Sequence, residues 1–239
     1  MLAPDAFVTG CFLMILGAAL GAVAELAARY LPQMVDLYGE LNWEPDEISR
    51  ELSMRGPDDF PWGSRGLTLM ATGAVGGMAC ALQGGGLNQI TLCLFFILAV
   101  SLTITTIDLD HQWVPDFLSI PLLLAGLLIS PFAESDYDRI LGLSVGMAVM
   151  WLAMLLSSRI KGADGMSGGD IILAGAAGAW LGANGLADFW LILGGAFVGH
   201  MISIKLRRPE AEWAPAAPSL MVAMFLACLF SVPEVPYWA

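Results

Sequence analysis

Charge is what this 239-residue sequence has least of. Only 13% of its positions are Asp, Glu, Lys or Arg, against 57% hydrophobic. A charged share near 25% is usual for soluble domains, so the deficit leaves no soluble domain of normal size and points to a polytopic membrane chain. Cysteine is scarce as well. Cys11, Cys80, Cys93 and Cys228 all fall in apolar runs and never as C-x-x-C, which excludes a zinc-binding pattern and a disulfide framework and leaves packing as their role. Histidine occurs only at His111 and His200. Neither belongs to a triad motif, and His200 is expected to pack or bond within its span. No metal site and no nucleic-acid partner are expected. No Lys or Arg precedes the first apolar run, MLAPDAFVTGCFLMIL, and no cleavage site follows it. The run therefore reads as a retained span rather than a signal peptide.

What is present is a series of apolar runs. A helix needs about 20 apolar residues to cross the hydrocarbon core, fewer where neighbours shelter its ends. That criterion predicts an all-α membrane bundle of about eight helices, over 7–28, 66–82, 87–107, 114–132, 140–157, 170–183, 189–204 and 216–232. The sixth and seventh are divided only by 184–188, and a single broken segment is the rival there. Both termini are then expected to be periplasmic. Nine of the ten basic residues (Arg29, Arg50, Arg55, Arg65, Arg159, Lys161, Lys205, Arg207 and Arg208) fall on the cytoplasmic side, in keeping with the concentration of Lys and Arg in cytoplasmic loops. Arg139 alone lies outside. Residues 1–239 read as one integral-membrane domain with an acidic cytoplasmic loop at about 32–65, which carries eight carboxylates. Small-x-x-x-small pairs at Gly17/Gly21, Gly73/Gly77, Gly178/Gly182 and Gly195/Gly199 suit close helix packing.

Two aspartates border apolar runs on the expected cytoplasmic face: Asp108 in IDLDHQWVPD and Asp170 in GMSGGD. Carboxylates near hydrocarbon are costly and persist there mainly for ions, protons or chemistry. A pair sharing one proton can hydrolyse a peptide bond, one member taking a proton from water while the other polarises the carbonyl. Gly168 and Gly169 allow the backbone to bend and approach a substrate before the helix that carries Asp170. Pro115 suits the first turn of the fourth span. Asp110 and Asp116 read as solvated or helix-end charges, with Asp110 the alternative to Asp108 should the register slip by two.

These segments resemble the type IV prepilin peptidase family, membrane aspartic proteases of the Gly-x-Gly-Asp class. Asp108 stands seven residues before Pro115, which Asp116 follows, and Gly165, Met166, Gly168, Gly169 and Asp170 meet the second motif. GAVAELAARYLP, at 21–32, weakly echoes the end of the family's first span. Ser167 replaces the first glycine of Gly-x-Gly-Asp, and Ile172 a usual lysine. The first loop lacks the paired C-x-x-C of many members, and the proline-rich APAAPSLM lacks the Phe and Gly often found before the last span. The resemblance implies catalytic Asp108 and Asp170, supported by Gly165, Gly168, Gly169, Asp110, Pro115 and Asp116. It also implies a bacterial inner-membrane enzyme whose active site faces the cytoplasm and cuts the short basic leader of prepilins or pseudopilins after a glycine. Proteolysis would need no cofactor. S-adenosylmethionine enters only if the family's N-methyltransferase activity is retained, and the atypical loop argues against that.

Intramembrane carboxylates also mark ion and proton paths, so a coupled transporter is the alternative, and a noncatalytic membrane assembly factor is a second. The transporter does not account for the local motifs, and the assembly factor predicts that both aspartates tolerate substitution.

Overall fold

The computed structural model describes residues 4–40, 64–161, 168–207, 209 and 214–232, all of the regular structure being helical. In chain order the helices are α1 (Pro4–Glu40), α2 (Ser64–Gly84), α3 (Gln89–His111), α4 (Asp116–Ile129), α5 (Asp136–Lys161), α6 (Gly168–Arg207) and α7 (Ala217–Phe230). Among the described residues, five stretches are long and apolar enough to cross a membrane: Phe7–Leu31, Gly66–Gly84, Gln89–His111, Asp136–Arg159 and Gly168–Leu206. With helices throughout and this much apolar length, the chain is a polytopic helical membrane protein. The apolar α4 and α7 are shorter, 14 residues each, or about 21 Å against a hydrocarbon core of about 30 Å.

Lipid offers helices little hydrophobic gain on association, so close packing and hydrogen bonds hold such a bundle together. α1 lies along α2, and α5 along α6. A Cβ on Gly17 would strike the Gly73 carbonyl, and one on Gly142 the Gly178 carbonyl. Glycine is therefore what lets these backbones touch. The fourth small-residue pair behaves differently, because a Cβ on Gly195 or Gly199 would meet nothing within 4 Å. α3 contacts α1, α2 and α7 and joins the two halves of the bundle.

Several boundaries differ from those expected. α1 does not stop near Ala28 but continues through Pro32 to Glu40, so the first nine residues assigned to the acidic loop are helical. Of the rest of that loop, 41–63 lie outside the described residues and 64–65 belong to α2. α3 runs on to His111, placing Asp108 inside its last turn. Pro115 is the residue before α4 rather than part of its first turn, with φ −74° and ψ 123°. Its missing N–H costs little there too, because the first turn of a helix makes no use of that donor.

The sixth and seventh expected spans join without a loop. Helical geometry breaks at Gly182, where φ is 71° and ψ 176°, and not at 184–188. Only glycine enters that region of φ without strain. Both sides of the break are hydrogen-bonded by neighbours: the Ser130 hydroxyl donates to the Trp180 carbonyl, and Asp138 accepts from the Ala183 N–H at 3.0 Å. Asp138 thus caps the second piece from another helix, the role an N-cap side chain normally fills within its own. Arg139, the one basic residue expected outside, ties off the nearby end of α4 by donating to the carbonyls of Leu127 (3.1 Å) and Ser130 (2.7 Å). Trp180, fully buried, donates its indole N–H to the Leu122 carbonyl at 2.9 Å and locks α4 to α6.

Beyond the break the chain returns. His200 lies 3.4 Å from the Ser219 hydroxyl, at the same end of the bundle as Asp170. It bonds across to α7 rather than within its own helix.

Candidate active site

Asp108 sits in the last turn of α3 and Asp170 in the first turn of α6, and each is only 5% exposed. The two carboxyl groups lie within electrostatic reach of each other. The two local sequences meet directly as well. A Cβ on Gly169 would come within 2.6 Å of the Val114 side chain, so glycine is needed there for the residue before Asp170 to rest on the residue before Pro115. Gly168, by contrast, faces open space.

A third element completes the arrangement. The backbone N–H of Ala217, first residue of α7, donates to Asp108 Oδ2 at 3.1 Å. Asp108 stands at the C-terminal end of its own helix, where the helix dipole disfavours negative charge. The N-terminus of α7 supplies the opposite field and a donor. Asp170 has the favourable end of its own helix. Behind Asp108, Gln112 adopts a left-handed conformation (φ 52°, ψ 41°) and closes its N–H onto the Asp108 carbonyl at 2.9 Å. This local cap fixes the turn that carries the carboxylate.

Of the other residues singled out in the sequence, Pro115 is buried, while Asp110 and Asp116 are exposed, Asp116 in the first turn of α4. Gly165 lies outside the described residues. The four cysteines are free, and Cys80, Cys93 and Cys228 are buried. Among the described residues no group of three or more His, Cys, Asp or Glu side chains is placed to hold a metal ion. Nothing in the sequence marks Ala217 as part of the site. A proline at the second position of α7 signals a helix start, but a backbone N–H has no side-chain signature to show what it faces.

Two buried aspartates from different helices, joined at one end of a membrane bundle by a glycine contact and a helix N-terminus, define a membrane protein with a carboxylate-pair site. The profile of the type IV leader peptidase family matches residues 93–233, more than half of the chain and both aspartates. The chain belongs to that family. It is 30% identical over 199 residues to the prepilin leader peptidase/N-methyltransferase of Burkholderia pseudomallei (strain 1026b), covering 80% of this chain and 64% of that protein. Proteins of the same name from Aeromonas hydrophila (33% over 144 residues; 59% of this chain, 50% of the relative) and Stutzerimonas stutzeri (36% over 135; 54% and 46%) are also similar. The chain thus spans from about half to just under two thirds of the length of these curated relatives. No solved structure matches it significantly.

Proposed function

We propose that the protein is an aspartic endopeptidase that removes the leader of type IV prepilins or pseudopilins, with Asp108 and Asp170 as its catalytic pair. The observation that carries the reading is the meeting of these two carboxylates, buried and within electrostatic reach of each other, in a chain of the type IV leader peptidase family. Two such groups share a proton. The ionised member takes a proton from water as the oxygen attacks the scissile carbonyl carbon, and the protonated member gives its proton to the carbonyl oxygen. As the diol collapses, the newly protonated aspartate gives its proton to the nitrogen and the C–N bond breaks. A diol hydroxyl gives its proton to the other aspartate, so that the pair again holds one proton in the starting arrangement. The Ala217 N–H holds Asp108 in place for both steps, and Gly169 seats Asp170 beside it. The family match favours this chemistry over transport.

The active face is assigned to the cytoplasm of the bacterial inner membrane, because the helix ends near the pair adjoin the Arg- and Lys-bearing segments at Arg159–Lys161 and Lys205–Arg208, as cytoplasmic loops do. The reading keeps residues 1–239 as one integral-membrane domain. Methyl transfer from S-adenosylmethionine is not part of it. The loop that departs from the family pattern bears on that activity, and 41–63 lie outside the described residues.

Co-expression with a prepilin in cells lacking their own leader peptidase, followed by mass spectrometry of the pilin N-terminus, tests the proposal. Cleavage immediately after the leader glycine is expected. A pilin that keeps its leader contradicts it, and the same spectrum reads methylation.

A further inference from the structure

Pro32 opens a gap in the first helix that another helix fills. α1 continues through this proline, which has no backbone N–H, so the carbonyl of Ala28, four residues earlier, lacks its helical donor. Ala28 is fully buried, so an unserved carbonyl there is costly, while His111 itself is exposed. His111 Nε2 lies 3.0 Å from that oxygen, 83 residues away in sequence. A carbonyl only accepts, so Nε2 carries the proton and donates.

His111 is the last residue of α3, three after Asp108. The same turn is closed behind it by the Gln112 N–H on the Asp108 carbonyl, and Asp108 is held in front by Ala217. On α1 the receiving turn is itself braced, Arg29 donating to the buried Glu25 at 3.0 and 3.1 Å. We propose that His111 is a positioning residue: by donating to the carbonyl that Pro32 frees, it fixes the last turn of α3 against α1 and holds Asp108 in register with Asp170. Its kinetic consequence rests on the peptidase reading above. The bond itself does not.

The test uses the full chain in liposomes with a prepilin substrate, comparing wild type with His111→Ala and His111→Gln, glutamine returning an N–H near the place of Nε2. Displacing a catalytic group by a fraction of an ångström to an ångström costs roughly ten- to a hundredfold in rate. The Ala variant is therefore expected to lose kcat by that factor with KM nearly unchanged, and the Gln variant to recover most of it. An Ala variant as fast as wild type, or a Gln variant as slow as Ala, overturns the proposal. A spectroscopic readout keeps the test decisive should the Ala variant fail to accumulate. With only two histidines in the chain, 15N spectra of labelled wild type and His111→Gln assign His111 by difference. A hydrogen-bonded proton on Nε2 is expected, and an unprotonated Nε2 overturns the bond. If either Asp108→Asn or Asp170→Asn still cleaves fully, the catalytic-pair reading fails while the spectroscopic result stands.

Discussion

Asp108 and Asp110 are two residues apart, yet about 100° of rotation per residue separates them by roughly 200° around α3. That rotation buries Asp108 and leaves Asp110 exposed, which supports the proposal of Asp108 rather than Asp110 as the catalytic residue. Asp110→Asn is expected to cleave within about threefold of wild type, as substitutions away from buried features usually have small effects. The two glycines before Asp170 should also part company. Gly168→Ala enters open space and is expected to be active. Gly169→Ala places a Cβ 2.6 Å from Val114 and should lose most activity by moving Asp170 from its partner. Equal behaviour of the two in a cleavage assay would contradict the packing described. The aspartates were legible because a carboxylate beside an apolar run stands out. Ala217 and the Ala28 carbonyl were not, because both act through backbone atoms, and the partner of Ala28 lies 83 residues away. A signal for the latter did exist: a proline inside a helix frees the carbonyl four residues before it.

At the scale of elements, the apolar runs gave the helices their approximate places, but the break at Gly182 was hidden among many glycines. What sets it apart is the environment rather than the residue, namely Ser130 on one side and Asp138 on the other. Loss of an N-cap carboxylate costs about 0.5–2 kcal/mol. Asp138→Ala is expected to be destabilised by that amount in thermal unfolding in detergent, while the folded fraction keeps its activity, the break lying about 18 Å along α6 from Asp170 by helical rise. Gly182→Ala should be worse. A positive φ with ψ near 180° is essentially a glycine conformation and costs another residue about 1–3 kcal/mol, and the added Cβ would also strike Asp138. A Gly182→Ala protein as stable as wild type would mean that the break does not require glycine.

For the whole molecule, the distribution of charge is the basis of the proposed orientation. The aspartate end is expected to face the cytoplasm, so a cysteine at position 110 should react with a membrane-impermeant thiol reagent from the cytoplasmic side of inverted vesicles. Reaction from the periplasmic side instead would reverse the topology. The eight carboxylates between Leu31 and Gly66 would attract a basic leader at long range, an effect that salt screens over a Debye length of about 8–10 Å. Neutralising four of them should slow processing at low salt and flatten its salt dependence.

The central claim is that one buried pair cuts the peptide bond. Purified protein in liposomes with a prepilin, as wild type, Asp108→Asn and Asp170→Asn, tests it most directly. Leader removal by wild type and none by either variant, with all three equally folded and inserted, is the predicted result. Full processing by either variant would contradict it.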